Sequence, residues 1–412
     1  MKMRTLTGVS WAVAVTTAAA LLATAAPASA ENTTPYERPT LVAAGSGYAA
    51  ELQADVNFWT VNRLALAGLN DDYGDGKGQG SDVIVEPTGG GDALSATYTG
   101  SGLISKTAGK LFTRRSVPGH EDSWIWSTCS ANVVNSANQS VVLTAGHCFR
   151  QDSSNWDFGI GFENWVTTKA VFIPGFNGAA LARWNPASGA GTTLPGTDIA
   201  PYGVWGVTRQ WTTNEWAADA SHFGEGPGHD MAAFLVDSPT DSRPIQQVTG
   251  GQQVGFNLPQ GKALTGFGYS TDNANNWYKT PYVNGVPTRT GPGETNVNGV
   301  PSALQRSFDG RTLKVSSGQS TGITGKYLDV LPAAISPGAS GGPWFEQYDP
   351  ATGTGIQVGV TSHFVNADGG TPVLETIQHP QKNTARPYMS ATHFMAQEKA
   401  VYDLAQAQVA PN

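Results

Sequence analysis

Charged residues are scarce in this sequence, and negative charges outnumber positive ones. Only 14% of the 412 residues are Asp, Glu, Lys or Arg, and the formal net charge at pH 7 is −8. Proteins that bind nucleic acid usually present a basic surface to its phosphates, so no nucleic-acid partner is expected. Apart from one stretch at the N-terminus, no apolar run is long enough to cross a membrane, so no membrane partner is expected either.

Cysteine is almost absent, because Cys129 and Cys148 are the only two. A zinc site needs more ligands than two cysteines, and the sequence has neither C-x-x-C spacing nor an H-E-x-x-H motif. The acidic, glycine-rich stretch at 71–78 departs from the EF-hand loop and is predicted to be a solvated linker. No metal ion and no cofactor are therefore expected.

The N-terminal stretch is typical of an export signal. Two basic residues precede an apolar run from about residue 9 to 26, and small residues follow at Ala28-Ser29-Ala30. Residues 1–30 are therefore predicted to be a cleaved signal peptide, with an uncleaved membrane anchor as the alternative. We expect the remaining chain to be secreted and extracellular.

Export would place the two cysteines in an oxidising compartment. They lie 19 positions apart, so a disulfide between Cys129 and Cys148 would close a short loop and add roughly 3 kcal/mol of stability in the chain-entropy model. Two free thiols are the alternative. We predict the disulfide.

Glycine and proline are abundant, at 50 and 25 residues, and they separate short apolar runs after about residue 110. Runs of this length between turn residues indicate strands, so the main body is predicted to be all-β. A late segment, about 391–408, has apolar residues at helical spacing and is predicted to be a C-terminal helix. Residues 31–108 differ from the body, contain one amphipathic helix within 51–69, and form either a pro-region or an N-terminal extension. The apolar runs are residues 131–134, 141–143, 170–173, 231–236, 263–267 and 358–360.

The segment Val141–Cys148 reads V-V-L-T-A-G-H-C and contains the candidate general base. An apolar strand delivers His147 into a turn of small residues, and the neighbouring Cys148 can be joined to Cys129. A general base must be held within hydrogen-bond reach of the proton that it removes. A lone histidine is ordinarily structural, but this setting favours a catalytic role for His147.

Residues 337–343 read P-G-A-S-G-G-P and contain the candidate nucleophile. A nucleophilic serine needs a tight turn that exposes its hydroxyl, together with backbone N–H groups directed at the developing oxyanion. Ser340 is therefore the candidate nucleophile, and the N–H groups of Gly338 and Ser340 are the candidate oxyanion donors. Because glycine-rich turns are common, this interpretation depends on the His147 motif upstream.

Together these motifs resemble those of the chymotrypsin-like (trypsin-fold) serine peptidases, in their secreted bacterial branch. That family carries T-A-[AG]-H-C around its base and G-D-S-G-G-P around its nucleophile, in the chain order His, Asp, Ser. The resemblance covers about residues 109–408. It implies a peptidase domain at 109–412 with two six-stranded antiparallel β-barrels, at about 109–240 and 241–390, and the active site between them.

Two aspartates are candidates for the acid of the triad. Asp198 and Asp230 each begin an Asp-apolar-Ala pattern, 51 and 83 residues after His147. The shorter spacing is nearer to the usual one, but Asp198 runs into a proline and a glycine that would break a strand. Asp230 runs into six apolar residues that are typical of a buried strand, so Asp230 is the predicted acid.

The sequence departs from the family at two places. Ala339 replaces the Asp that commonly pairs with a freed N-terminus, so that activation route is not expected. Six residues before Ser340, Ala334 replaces the Asp with which trypsin-type members bind Arg or Lys. The wall of this specificity pocket is predicted at Ser362, His363 and Phe364, where His363 either recognises an acidic side chain or lies on the surface.

The resemblance implies a secreted serine endopeptidase that forms an acyl-enzyme on Ser340. We expect a monomer that acts on protein or peptide substrates and uses no cofactor. A protein that kept the fold but lost activity, such as a secreted binding protein or adhesin, is the alternative. A fluorophosphonate probe separates the two, because it reacts only with an activated serine.

Overall fold

Antiparallel strands make up most of the described chain. The computed structural model describes residues 35–37, 41–61, 63–64, 67, 96–117, 120–151, 165–178, 193–218, 228–269, 282–283, 286–287, 312–333, 338–365 and 388–409. The predicted signal peptide and the predicted linker at 71–78 lie outside these residues.

The elements within these ranges are numbered in chain order. The strands are β1 (Tyr36–Glu37), β2 (Ala96–Thr97), β3 (Ala108–Val117), β4 (His120–Val133), β5 (Val141–Thr144), β6 (Arg150–Gln151), β7 (Trp165–Pro174), β8 (Trp205–Thr212), β9 (Ala232–Asp237), β10 (Gln253–Val254), β11 (Ala263–Gly268), β12 (Tyr282–Val283), β13 (Val286–Pro287), β14 (Lys314–Gln319), β15 (Thr321–Ile323), β16 (Leu328–Pro332), β17 (Pro343–Asp349), β18 (Thr354–Val365) and β19 (Tyr388–His393). The helices are α1 (Tyr48–Phe58), α2 (Ile104–Thr107), α3 (Asn214–Ala218), α4 (Ile245–Thr249) and α5 (Ala396–Gln406).

Six antiparallel strands close into a barrel, in the order β3-β4-β5-β9-β8-β7 and back to β3. Strand β5 shows how the sequence fits this barrel, because its side chains alternate between two cores. Val142 packs in one core with Phe234, whereas Val141 and Leu143 pack in another with Phe394 of the segment before α5. A strand that is buried on both faces reads as a continuous apolar run, as residues 141–143 do.

The second sheet curls into a half-barrel. Its strands follow the order β15-β16-β19-β18-β17-β11-β14, and β2 pairs with β14 at the end of the path. The pairing is interrupted between β14 and β15, which are consecutive in the chain and separated only by Ser320. The predicted all-β fold is confirmed: six strands close into a barrel by a continuous ladder of pairings, and the second unit is a curled half-barrel sheet of nine described strands, in which β10 also pairs with β18.

The C-terminal helix is present but shorter than predicted. It begins at Ala396, because the residues up to His393 pair as β19 with β16 and β18. The predicted range of 391–408 includes the last three residues of this strand. At its other end, the side-chain amide of Asn138 donates to the carbonyls of Ala405 and Gln408. No helix within the described ranges is long and apolar enough to span a membrane.

The segment before β3 packs onto both sheets. Strand β1 pairs with β8, and helix α1 packs over Gly206 of β8, where an added Cβ would lie 2.6 Å from Leu52 Cδ1. Trp59, which is fully buried, contacts Phe112 of β3 at a ring separation of 6.2 Å. Further along, strand β2 pairs with β14, and Leu103 N donates to the carbonyl of Thr352 in the turn between β17 and β18.

Candidate active site

His147 lies in a tight turn at the end of β5. Residues Gly146–Cys148 form one 3-10 turn, and a disulfide joins Cys148 to Cys129 of β4, as predicted. Trp216 of α3 covers the turn, since a Cβ on Gly146 would lie 2.7 Å from its indole. The imidazole of His147 lies 6.4 Å from the Trp216 ring and remains about 15% exposed. The turn is therefore fixed from two sides while its histidine stays accessible.

Asp230 lies beside His147 and is buried. Its Oδ1 accepts a hydrogen bond from the backbone N–H of His147 at 2.8 Å, and its Oδ2 lies 2.8 Å from His147 Nδ1. The hydroxyl of Ser362 donates to the same Oδ2 at 2.5 Å. Asp198, the other candidate acid, is exposed in a turn. The structure thus pairs His147 with Asp230, the aspartate that is favoured in the sequence by the apolar run after it.

The Ser340 turn depends on glycines at its two sides. Gly338 and Gly341 have φ angles of 90° and 80°, in a region that disfavours residues with a Cβ. Gly341 also packs directly against the barrel, because a Cβ there would lie 2.1 Å from Thr144 Oγ1 and 2.4 Å from the carbonyl of Ser130. Glycine at 338 and 341 is therefore required by the backbone path, and at 341 also by the close contact with β4 and β5.

Ser130 of β4 anchors this turn. Its N–H donates to the carbonyl of Ser340 at 2.7 Å, and its hydroxyl donates to the carbonyl of Gly338 at 2.9 Å. The same hydroxyl accepts a hydrogen bond from Tyr269 N, and the Ser130 carbonyl accepts one from Thr144 Oγ1. Ser130, Gly338, Thr144 and Tyr269 are buried, so breaking the bonds among them would leave buried polar groups unsatisfied.

Three N–H groups of the turn have no acceptor in the described part of the chain. The N–H groups of Gly341 and Gly342 donate to backbone carbonyls at 2.8 Å. Those of Gly338, Ala339 and Ser340 donate to no described acceptor, and Gly338 and Ser340 are the two that were predicted as oxyanion donors. Unpaired donors in a rigid turn next to a serine can stabilise an oxyanion.

Of the four predicted specificity residues, the structure describes the side chains of Ser362 and His363. Ala334 and the side chain of Phe364 lie outside what the structure describes. The hydroxyl of Ser362 is directed at Asp230, and His363 Nδ1 lies 2.8 Å from that hydroxyl. Desolvation by burial lowers the pKa of His363 to about 4, with Asp230 acting in the opposite direction and His147 and Lys326 lowering it further. Below, His147, Asp230, Ser362 and His363 are called the Asp230 network.

Ala339, beside the nucleophile, lies in an apolar core of the second sheet and is fully buried. A Cβ on Gly268 would lie 2.7 Å from the Ala339 methyl, so the space around it is filled. The other buried members of this core are Leu264, Leu331, Ala333, Trp344, Val358, Met389 and Ala391. An ammonium group at this position would have neither room nor a counter-ion.

One cluster of metal-ligand residue types occurs in the described chain. Ligand atoms of Cys129, His147 and Cys148 lie within 4.8 Å of one another. Both sulfur atoms are bonded to each other, however, and only a thiolate binds a metal well. The cluster is explained by the disulfide beside His147.

Sequence reasoning missed two residues of the site. Ser130 was an unassigned position next to Cys129, and Trp216 lies in helix α3, between β8 and β9. The position of Ser130 beside a cysteine predicted to be bonded near His147 was a usable signal. No local signal marked Trp216, because its contact with Gly146 joins residues 70 positions apart.

The chain is similar to solved structures of proteases at low sequence identity. No family model and no curated protein matches the chain. Solved structures with similar folds include the protease Anisep from Arthrobacter nicotinovorans, at 21% identity and a TM-score of 0.47, covering 76% of this chain and 100% of that one. They also include the thermostable serine protease AL20 from an extremophilic microorganism, at 22% identity and a TM-score of 0.46, covering 74% and 99%. A Glu endopeptidase has 14% identity and a TM-score of 0.43, covering 77% and 99%.

The resemblance to the chymotrypsin-like serine peptidases is confirmed at the level of architecture, by the closed six-stranded barrel followed by a curled second sheet.

Proposed function

We propose that this protein, which resembles the chymotrypsin-like serine peptidases in fold, is a secreted serine endopeptidase that acts as a monomer without a cofactor. The observation that carries the proposal is the geometry of its site. His147 is hydrogen-bonded to buried Asp230, and in the adjacent turn the N–H groups of Gly338 and Ser340 have no acceptor within the described chain. A base, its orienting acid and an oxyanion site are the parts that acyl transfer requires.

The proposed reaction begins with attack by Ser340 Oγ on the carbonyl carbon of a peptide bond. Because Nδ1 of His147 donates to Asp230, Nε2 of the neutral imidazole carries no proton and can accept the proton of the serine. His147 then gives that proton to the leaving amine, and an acyl-enzyme remains on Ser340. Water loses a proton to His147 and attacks the ester, after which the proton returns to Ser340 Oγ.

The N–H groups of Gly338 and Ser340 would stabilise the negative oxygen in both tetrahedral steps. Ser130 supports this role, because its hydrogen bonds fix the carbonyls of the same two residues. A donor that is already oriented needs no reorganisation when charge develops on the substrate.

We further propose that residues 1–30 are removed on export and that the following segment is an extension that stays with the enzyme. Its helix α1 and Trp59 complete an apolar core of the barrel, together with Phe112, Ile173 and Tyr269. Removal of the segment would expose this core to water. The peptidase domain would then extend from residue 109, with its two six-stranded units divided near residue 240.

The proposed substrate preference excludes Arg and Lys at the residue before the cleaved bond. Ala334 stands where trypsin-type members have an acidic residue, so a basic side chain there would lack a counter-ion. Cleavage profiling on a peptide library measures this preference directly. A profile dominated by Arg or Lys would contradict it.

The test of the enzyme itself is covalent labelling. A fluorophosphonate probe should add to the exported protein at one site, and peptide mapping should place it on Ser340. Ser340→Ala should abolish labelling and peptide cleavage, whereas Ser317→Ala, an exposed serine of the second sheet, should not. A folded protein that the probe does not label would support an inactive binding protein instead.

A further inference from the structure

The Asp230 network extends beyond the three residues of the proposed triad. From His147 Nδ1 it passes to Asp230 Oδ2 at 2.8 Å, to Ser362 Oγ at 2.5 Å, and to His363 Nδ1 at 2.8 Å. Asp230 and Ser362 are buried, and His363 is partly exposed by surface area. A continuous chain of hydrogen bonds therefore joins a second imidazole to the carboxylate that orients the first.

The positions of the protons in this network follow from the inventory of donors. An ionised Asp230 can only accept, so the single hydroxyl proton of Ser362 must lie in the short bond to Oδ2. Ser362 Oγ then has no proton for His363, and Nδ1 of His363 must be the donor in their contact. Both imidazoles of the network therefore have a proton on Nδ1 when they are neutral.

The charge of His363 also matters to its partners. The charged and titratable groups facing it are Asp230, His147 and Lys326, and burial is the largest influence on its pKa, which lies near 4. At neutral pH His363 is therefore an uncharged donor. It does not compete with His147 for the negative charge of Asp230 when His147 becomes an imidazolium.

We propose that His363 is a positioning residue, which acts through the Ser362 hydroxyl to fix the orientation and basicity of Asp230. The proposal deepens the peptidase function given above and depends on it. Donation by His363 polarises the Ser362 hydroxyl and strengthens its bond to Asp230, because linked hydrogen bonds reinforce one another. The carboxylate then keeps Oδ1 on the backbone N–H and Oδ2 on Nδ1 of His147.

Two substitutions at this position separate donation from packing. In His363→Asn, the amide nitrogen can lie near the place of Nδ1 and still donate to Ser362. In His363→Leu, the volume is nearly kept but the donor is lost. We expect His363→Leu to lower kcat by about three- to tenfold, the range of one neutral hydrogen bond, with KM changed less than kcat.

The pH profile provides a readout that packing alone would not change. Without the His363 donor, Asp230 is less stabilised and holds the His147 proton more strongly. The apparent pKa on the acid side of the kcat/KM profile should therefore rise by about half a unit in His363→Leu. In His363→Asn it should return towards the wild-type value. When Ser362→Ala is present as well, the variants with Asn and with Leu at position 363 should have the same apparent pKa on the acid side of the kcat/KM profile.

The outcomes of this experiment are distinguishable. All variants are first titrated with the fluorophosphonate probe, and their melting temperatures are measured. If the wild-type protein is not labelled, the proposed function fails and this inference fails with it. If the wild-type protein is labelled and His363→Leu has the wild-type pH profile, or if the Asn and Leu variants shift it equally, only the role of His363 is overturned.

Discussion

Asp230 accepts three hydrogen bonds, two from His147 and one from Ser362. Together they fix the plane of the carboxylate and the tautomer of the imidazole. The hydroxyl of Ser362 cannot take over the task of orienting His147 from the carboxylate, because its only proton is already in the hydrogen bond to Asp230 Oδ2. The chemistry of the site is therefore most sensitive to the charge at this one position.

We expect Asp230→Asn to lower kcat by about 10⁴-fold, because an amide nitrogen opposite His147 would favour the wrong tautomer. The measurement is kcat on a peptide substrate, with the melting temperature as a check on folding. Asp198→Asn is the matched control, since Asp198 is an exposed turn residue. A large loss in the Asp198 variant with near-normal activity in the Asp230 variant would contradict the assignment.

The residues that carry chemistry could be predicted from sequence better than those that support them. His147 and Ser340 stand in local motifs whose small residues the backbone requires, as the contacts of Gly146 and Gly341 show. Ser130 could not be assigned in this way, because its partners at Gly338 and Ser340 are more than 200 positions away in the chain. The sequence signal for this hydroxyl is indirect, namely its place beside Cys129, which is predicted to be bonded near His147.

The N-terminal extension is an element whose role the sequence left open. Its amphipathic helix was predicted within 51–69, and the structure has α1 at Tyr48–Phe58. The apolar pattern indicated a buried face but not the surface that covers it. That surface is formed by β7 and β8, and Gly206 leaves space for Leu52 and Val56.

We expect Trp59→Ala to destabilise the enzyme by about 3–5 kcal/mol, because a fully buried indole is removed from the barrel core. Leu194→Ala is the control, since Leu194 is 43% exposed and should change stability by less than about 0.5 kcal/mol. Both values come from urea unfolding of the exported protein.

The mass of the exported protein should also show that the chain begins before Tyr36. An active enzyme that begins near Ala108 would contradict a retained extension.

A buried ion pair joins the strands of the second sheet. His393 Nδ1 lies 2.6 Å from Asp329 Oδ2, and His393 Nε2 lies 2.7 Å from the carbonyl of Leu258. Desolvation by burial lowers the pKa of His393, but the hydrogen bond and charge of Asp329 outweigh it, so the pKa is raised overall. With an acceptor at each ring nitrogen, His393 is bound as an imidazolium.

This pair predicts the pH dependence of stability. Its contribution should be fully present below the ordinary histidine pKa of about 6.5 and should be lost as pH rises through the higher folded pKa. His393→Ala should destabilise the protein by about 3–5 kcal/mol at pH 6, because Asp329 is left buried and unpaired. Urea unfolding from pH 5 to 10 measures both effects. If the free energy of unfolding of the wild-type protein rises between about pH 7 and 10, the charged pair is disproved.

On the scale of the whole molecule, we expect activation to be independent of a free N-terminus. Ala339 is buried in an apolar core, and its methyl group fills the space beside Gly268. We therefore expect proteins that begin at Glu31, or with one residue added before it, to give the same fraction of titratable active sites. Activity that depends on one particular N-terminal residue would contradict this expectation.

The overall architecture could be predicted because the motifs and the strand pattern agree. Each apolar run named from sequence lies mainly in a strand, and the run at 231–236 becomes β9. The end of the fold was harder to predict, since the apolar spacing of 391–394 suits both the strand β19 and the helix α5. Pairing with β16 and β18, which is a tertiary effect, decides where the strand ends and the helix begins.

The disulfide has a consequence for the cell that makes this protein. Cys148 neighbours the base His147, and Cys129 neighbours Ser130, which anchors the nucleophile turn. One covalent bond thus connects the supports of both reacting groups, and it can form only where thiols are oxidised. If the chain is exported as proposed, its precursor in the reducing cytoplasm lacks this bond. We expect the producing cell to be protected from its own peptidase by the redox state of the compartment in which the chain is made.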